Sequence, residues 1–405
     1  MNNAAPKTGL KRAKPKETFD FFHDARVRSV FYQLITAGLF GLLMWYLVTN
    51  TSQNLQARGM STGFGFLNTT AGFDIDFKLI DYTPGKGTYG RIFVIGALNT
   101  LLVSFMAIIL STALGFLVGV LRLSNNWLVS KVALSFVEIF RNTPLLIQIV
   151  FWYIGVFAVL PAVKMTIDLS LGAKMLLLNN RGLYMATPIM GGLFWMTLVA
   201  LGVALAGVYL LRRRARKLQE SSGKQTKTLI PSLGLLVLLP SAVFILTGRP
   251  LSWDMPTLQG FNFAGGTSLP PAFLALIVSL SIYHAAQIAE AVRAGILSVS
   301  KGQKEAALSI GLKPARVMAM VVIPQAMPAI VPPMISQWMT TVKNSSLAIA
   351  IGYADIVSLF MQTTLNQIGH AVELVGMTMA FYMVISLSIS GLLNIYNKRV
   401  QLVER

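Results

Sequence analysis

Polar side chains with a regular spacing gather in one stretch of this sequence, residues 290–316. Glu290 and Arg293 stand three apart, which on a helix puts carboxylate and guanidinium on one face as an ion pair. Ser300 and Gly302 then interrupt the periodicity, and residues 303–310 restart it around two adjacent alanines, Ala306 and Ala307, small enough to let another surface approach the backbone. Gly311 fits a left-handed helix end, and Pro314 fits the first turn of a following helix. The expected result is a helix, a break, a short helix, a tight turn and another helix. Such residues make a compact helical knob.

Bond-making chemistry has little support elsewhere. The 405 residues include no cysteine, which removes disulfides, thiolate metal sites and thiol catalysis. Three scattered histidines, His23, His284 and His370, argue against a histidine metal cluster. No Ser/His/Asp grouping is placed for hydrolysis. The closest approach to a phosphate-cradling loop, Gly85-Lys86-Gly87-Thr88, lacks the earlier glycine and is expected to lack the following helix. Any ATP the protein uses must therefore be bound by another chain.

The elements that position the knob follow from composition. Apolar residues make up 54% and charged residues 12%, against about 25% charged in soluble proteins. The charges cluster between eight uncharged runs: 29–48, 92–121, 142–163, 182–211, 228–248, 255–289, 317–342 and 374–397. Each is long enough for the ~20 residues of helix that cross a bilayer core. Continuous apolar runs, without two-residue alternation, select helices over a barrel. The expected fold class is an all-α integral membrane protein with about eight transmembrane helices. Acidic residues close to these runs, Glu138, Glu290, Asp355 and Glu373, all fall near expected ends, which disfavours a buried proton relay.

A net charge of +19 reports topology under this reading. With a cytoplasmic N-terminus, 25 of the 34 Lys and Arg residues fall on the inside, satisfying the positive-inside rule and placing both termini in the cytoplasm. No basic and aromatic interleaving suggests base stacking, so no nucleic-acid partner is expected; membrane lipid is. Residues 1–28 read as a basic cytoplasmic tail and 29–91 as an uncleaved anchor helix followed by a periplasmic loop.

Glu305-Ala306-Ala307, then Gly311, then nine residues to Val321-Val322-Ile323-Pro324, resembles the E-A-A-x3-G-x9-I-x-L-P loop of permease subunits of ATP-binding-cassette importers. Val321 and Ile323 depart conservatively from that pattern. Asn99-Thr100-Leu101-Leu102, the run from Glu138 through Arg141-Asn142-Thr143-Pro144 to Leu146, and Lys343-Asn344-Ser345-Ser346-Leu347 are similar to the polar amino acid branch of that superfamily. These segments cover 92–160 and 272–397 as two parts of a permease core, with the coupling loop at 290–320. The 161–271 insertion, with two extra transmembrane helices and Asn180-Arg181-Gly182-Leu183-Tyr184, resembles a permease of the general L-amino acid transport systems of Gram-negative bacteria. Residues 398–405 are expected as a cytoplasmic tail.

The resemblance implies a type I ABC-importer permease fold in the bacterial inner membrane. It implies translocation of amino acids, driven by an ATPase dimer that binds ATP and Mg and acts through the loop, with no cofactor on this chain. A periplasmic amino-acid-binding protein and a second homologous permease are the other implied partners, and Glu305, Ala306, Ala307 and Gly311 the coupling residues. Arg141, Asn142 and Thr143 admit two readings, a span boundary or the inner end of the path. Lys343, Asn344, Ser345 and Ser346, polar after an apolar span, are assigned to the path or its gate. His284 and Tyr283 read as helix packing or as a substrate contact. Pro324, Pro328, Pro332 and Pro333 free carbonyls that either pack or line a cavity. The alternative from another class is a gradient-driven secondary amino acid transporter, which would favour paired broken helices and ionisable residues near the midplane.

Overall fold

The computed structural model describes residues 25–57, 63–223 and 225–400. Most of the expected basic tail and residues 401–405 lie outside the described residues. The chain divides into two compact units, residues 1–64 with 368–373, and residues 65–367 with 374–405. In the first unit, α1 (Ala25–Ala57) is an apolar helix, longer at both ends than the uncharged run suggested.

The second unit is built on α2 (Tyr89–Leu121), whose N-cap Thr88 accepts a hydrogen bond from the Arg91 N–H. A helix does therefore follow Gly85-Lys86-Gly87-Thr88, contrary to expectation, because the threonine hydroxyl satisfies one of the orphan donors of the first turn. Next come α3 (Trp127–Asn142), capped by the Asn126 side chain, and α4 (Leu145–Val150), which continues as widened turns over Phe151–Phe157. α3 and the α4 segment bend by 104° at their junction. Pro144 causes the break: it has no N–H to donate, and it pushes Thr143 out of the helical region, to φ −91° and ψ 128°. The third run thus corrects to a broken pair, and residues 127–141, expected as a connecting segment, are helical because α3 is amphipathic and not uniformly apolar.

Between α4 and the next span the chain turns to strands: β1 (Ile167–Asp168), β2 (Leu176–Asn179), β3 (Gly182–Met185) and β4 (Thr187–Met190). The helices α5 (Phe194–Ser222) and α6 (Leu229–Leu246) follow and pack against each other. Then come β5 (Leu251–Asp254), β6 (Thr257–Gln259), β7 (Asn262–Ala264) and β8 (Thr267–Leu269). β1-β2-β3-β8 form an antiparallel sheet, β4 pairs with β5 and β6 with β7. The runs 182–211 and 255–289 are therefore not helical from their starts. Their leading halves lack charge but carry Pro188, Gly191-Gly192, Gly260, Gly265-Gly266 and Pro270, which close short strands instead of propagating a helix.

The core is dominated by α7 (Pro271–Leu297), more than half of whose residues are buried. α8 (Lys301–Ser309) and α9 (Pro314–Val317) lead through widened turns at Met318–Val322 into α10 (Ile323–Asn344) and a tighter turn at Ser345–Ile351. The whole of Pro314–Ile351 forms one helical run, so the four prolines lie within the seventh span without ending it. α11 (Leu365–Ile368) and α12 (Ala371–Val400) complete the chain. Among the described residues, seven helices are long and apolar enough to cross a membrane, or eight if the bent pair is one span.

α2 and α7 cross closely. A Cβ on Gly119 would lie 2.8 Å from the Ala289 carbonyl oxygen and 2.8 Å from Val292 Cβ, so only glycine fits there at the present spacing. Small residues at such crossings let two backbones approach where apolar burial alone gives little drive. Gly119→Ala is expected to lower stability by about 1–3 kcal/mol, and Gly119→Leu to prevent packing. Thermal unfolding in detergent tests this, and an unchanged midpoint in Gly119→Leu contradicts it.

Candidate functional site

The knob forms as the local sequence dictates. Ser300 precedes α8, and Pro314 sits in the first turn of α9. At the end of α8 the Gly311 N–H donates to the Leu308 carbonyl at 2.9 Å and the Leu312 N–H to the Ala307 carbonyl at 3.3 Å. This is a Schellman cap, and it needs Gly311 in the left-handed region, at φ +84°. Ala307 is buried with Val317, Val322 and Ile330, and Leu312 packs on the same cluster. Glu305, Ala306 and Ile310 are exposed. The two alanines therefore have opposite duties: Ala307 anchors α8 and Ala306 faces outward. The Gln325 side-chain amide donates to the Gln303 side-chain Oε1 at 3.3 Å, a further tie between α8 and α10.

Beside the knob lies an ionic cluster. Glu290 accepts from Arg293 at 2.6 Å and also pairs with Arg122, at the C-terminal end of α2. Arg122 lies 3.8 Å from Glu138 of α3. The Glu290–Arg293 pairing is the one expected from spacing. Arg122 was not foreseeable as a partner of Glu290, since 168 positions separate them and no local pattern links them.

Arg141, Asn142 and Thr143 end α3 and form the outer side of the elbow; Arg141 and Asn142 are exposed, and Asn142 donates to Glu138 at 3.0 Å. The buried Gln148 amide holds the elbow by donating to the carbonyls of Phe140 and Thr143, at 2.9 and 3.0 Å. Residues 343–346 do not follow a finished span; they lie within the helical run. Lys343 is exposed, and Ser345 and Ser346 donate back to the carbonyls of Val342 and Lys343. His284 links Asn344 into the core. Its Nδ1 lies 3.1 Å from Gln337 Oε1 and its Nε2 lies 3.3 Å from Asn344 Nδ2, which a neutral ring satisfies by donating to the first and accepting from the second. The geometry matches the helix-packing reading of His284. The elbow and the 345–351 turn flank one apolar cluster, because Leu145 and Ile149 of α4 share it with Ala348 and Ile351. The knob residue Ala307 belongs to a different cluster.

At the far end of α7, beginning at Pro271, is a cavity of about 350 Å³ lined by residues that include Asp74, Asp76, Tyr153, Pro271, Tyr353 and Thr363. The Ile75 N–H and the Lys78 ammonium hold the Asp74 carboxyl below its ordinary range. Two residues beneath this cavity carry a role that sequence reasoning quoted only as part of a motif. The Asn99 amide donates to the carbonyls of Phe77 and Ala354 at 2.8 Å each, and the Thr100 hydroxyl accepts from the Ile356 N–H at 3.1 Å. Together they pin the cavity wall to α2. The 27 residues of α7 separate cavity and knob by about 40 Å.

The described residues thus make a multi-span helical chain with a capped, outward-facing helical knob at one end of α7 and a walled cavity at the other. Residues 111–402 match the family described as binding-protein-dependent transport system inner membrane component, and the chain belongs to it. A putative amino-acid ABC transporter permease of Escherichia coli is 45% identical over 95% of this chain and 97% of its own length. A general L-amino acid transport system permease of Rhizobium johnstonii is 42% identical over 95% and 94%. A glutamate/glutamine/aspartate/asparagine transport system permease of Rhodobacter capsulatus is 38% identical over 99% and 98%. Among solved structures, an amino acid ABC transporter crystallised with histidines is 21% identical, covering 77% of this chain and 95% of that one with a TM-score of 0.46.

The ionic cluster yields a test. Glu290→Gln removes the carboxylate that Arg122 and Arg293 share, leaving only Glu138, 3.8 Å from Arg122, and is expected to lower stability by about 1–3 kcal/mol. Added salt should shrink the difference from wild type by screening the repulsion. Thermal unfolding at two ionic strengths checks both; a salt-independent or absent effect counts against the cluster as a clamp.

Proposed function

We propose that this chain is the membrane-spanning permease subunit of an ABC importer that carries amino acids, of broad L-amino acid range, across the inner membrane. The observation that carries the reading is similarity over nearly the full chain, including the insertion, to permeases named for amino acid transport. In this reading ATP and Mg bind an ATPase dimer outside this chain. A periplasmic amino-acid-binding protein delivers substrate at the cavity end of α7, and a second homologous permease completes the path. Both termini are cytoplasmic.

The knob then acts as the coupling element. Glu305 and Ala306 meet the ATPase, Ala307 transmits the push to α9 and α10, and the Gly311 cap keeps α8 rigid enough to transmit it. Closure of the ATPases moves the knob, and α7, tied to α2 through Arg122 and Glu290, carries the displacement toward the cavity. The elbow at Arg141–Thr143 and the turn at Lys343–Ser346, on either side of one apolar cluster, open or close the path between them.

The test is uptake of labelled glutamate, glutamine, histidine, leucine and alanine in cells that express the chain with its neighbouring subunits. Glu305→Arg, at an exposed position, should abolish uptake while insertion stays normal. Gly311→Val has open space for its side chain but forces a β-branched residue to positive φ, at a cost of about 1 kcal/mol or more, and should uncouple ATP hydrolysis from uptake. Undiminished uptake in a normally inserted Glu305→Arg variant would return the gradient-driven transporter to first place.

A further inference from the structure

The α5–α6 hairpin has a feature that amino acid transport does not use. Ala200, Ala204 and Val208 are the buried residues of α5, spaced at four and forming one stripe, and most of the rest of the helix surface is exposed. Along α6, with Leu211 of α5 at its edge, lies a shallow, open apolar groove of about 560 Å³, lined by residues that include Leu211, Pro231, Leu235, Leu238 and Ala242. Leu211 is the last apolar residue before Arg212, Arg213, Arg214, Arg216 and Lys217, all exposed. Arg214, three residues on, continues the face of Leu211 beyond the groove. α5 runs 29 residues, longer than the ~20 a bilayer core requires, so its basic end projects past the hydrocarbon into the headgroup layer.

We infer that this hairpin holds an anionic phospholipid, with an acyl chain in the Leu211–Ala242 groove and the headgroup phosphate on the guanidinium groups of Arg212–Arg214. Charge and shape together single out this occupant. The groove is apolar and opens beside five clustered cations, and such clusters next to a span attract anionic headgroups. A purely apolar partner helix would leave those cations unmatched, and a free phosphate would leave the groove unfilled.

The full-length chain in detergent, stripped of lipid, is titrated with phosphatidylglycerol or phosphatidylcholine, and bound lipid is counted by native mass spectrometry. Wild type should prefer phosphatidylglycerol at least about fivefold, with the preference reduced by salt. Arg212→Gln/Arg213→Gln/Arg214→Gln should lose the preference, and the corresponding triple lysine variant should keep it. Gly234→Trp, at a groove position where a Cβ meets nothing within 4 Å, should reduce retention of both lipids. Glycerol phosphate at the same concentration should not compete. A wild type without preference, an unaffected triple glutamine variant, or competition by glycerol phosphate overturns the inference. So does cross-linking of position 234 to a second polypeptide that excludes lipid.

Discussion

The close crossing of α2 and α7 is the contact on which the rest of the second unit depends. Gly119 brings the α2 backbone against Ala289 and Val292, and Gly115 faces Ile288 and the Ala285 carbonyl one turn away. With α2 held at that distance, α7 becomes a buried column, and every other core element is placed by what it packs against. α10 binds α2 through the Trp338 indole, which donates to Thr112 at 2.9 Å, and binds α7 through His284. α3 binds α7 through the apolar cluster of Val137 and Ala289 and reaches Arg122 through Glu138. A column gripped along its length joins the knob to a cavity some 40 Å away through one continuous packed helix.

Polar groups do most of the specifying within this apolar core. Asn99, Thr100, Gln148, His284 and Thr341 are all buried, and each makes a hydrogen bond that fixes a neighbouring segment or its own helix turn. Where lipid replaces water outside, apolar contact favours one helix arrangement only slightly over another, whereas an unmatched amide or hydroxyl is costly. The chain uses that asymmetry at its irregular points. Gln148 closes the elbow, Asn99 and Thr100 secure the wall at 353–356, and Asn344 secures the end of α10.

Features set by neighbours in sequence were legible, and features set by distant residues were not. The knob could be read because a glycine cap, a proline at a first turn and a pair three apart on a helix obey local rules, as Gly311, Pro314 and Glu290–Arg293 do. Most spans could be read for the same reason. Absence of charge proved a poor guide at 182–190 and 257–269, where it marks short strands around Tyr184, whose hydroxyl donates to Asn262 at 2.7 Å. The helix α3 was missed because its charges sit on one face, and counting them along the chain hides that. In the candidate path, the polar character of Lys343–Ser346 was visible, but its continuity with α10 and its tie to His284 exist only once α7 and α10 are side by side.

The division of labour between Ala306 and Ala307 has a consequence for the length of the loop. Successive helical residues point 100° apart, so inserting or deleting one residue between Ser300 and Ala307 would swing the anchoring methyl outward and turn its neighbour in. Gly311 would keep its cap, whose bonds run to Leu308 and Ala307, but the capped end would be carried round with them. The anchoring of this loop therefore depends more on length than on composition. A substitution on the outer face leaves Ala307 in place, whereas a change in the number of residues between Ser300 and Ala307 does not.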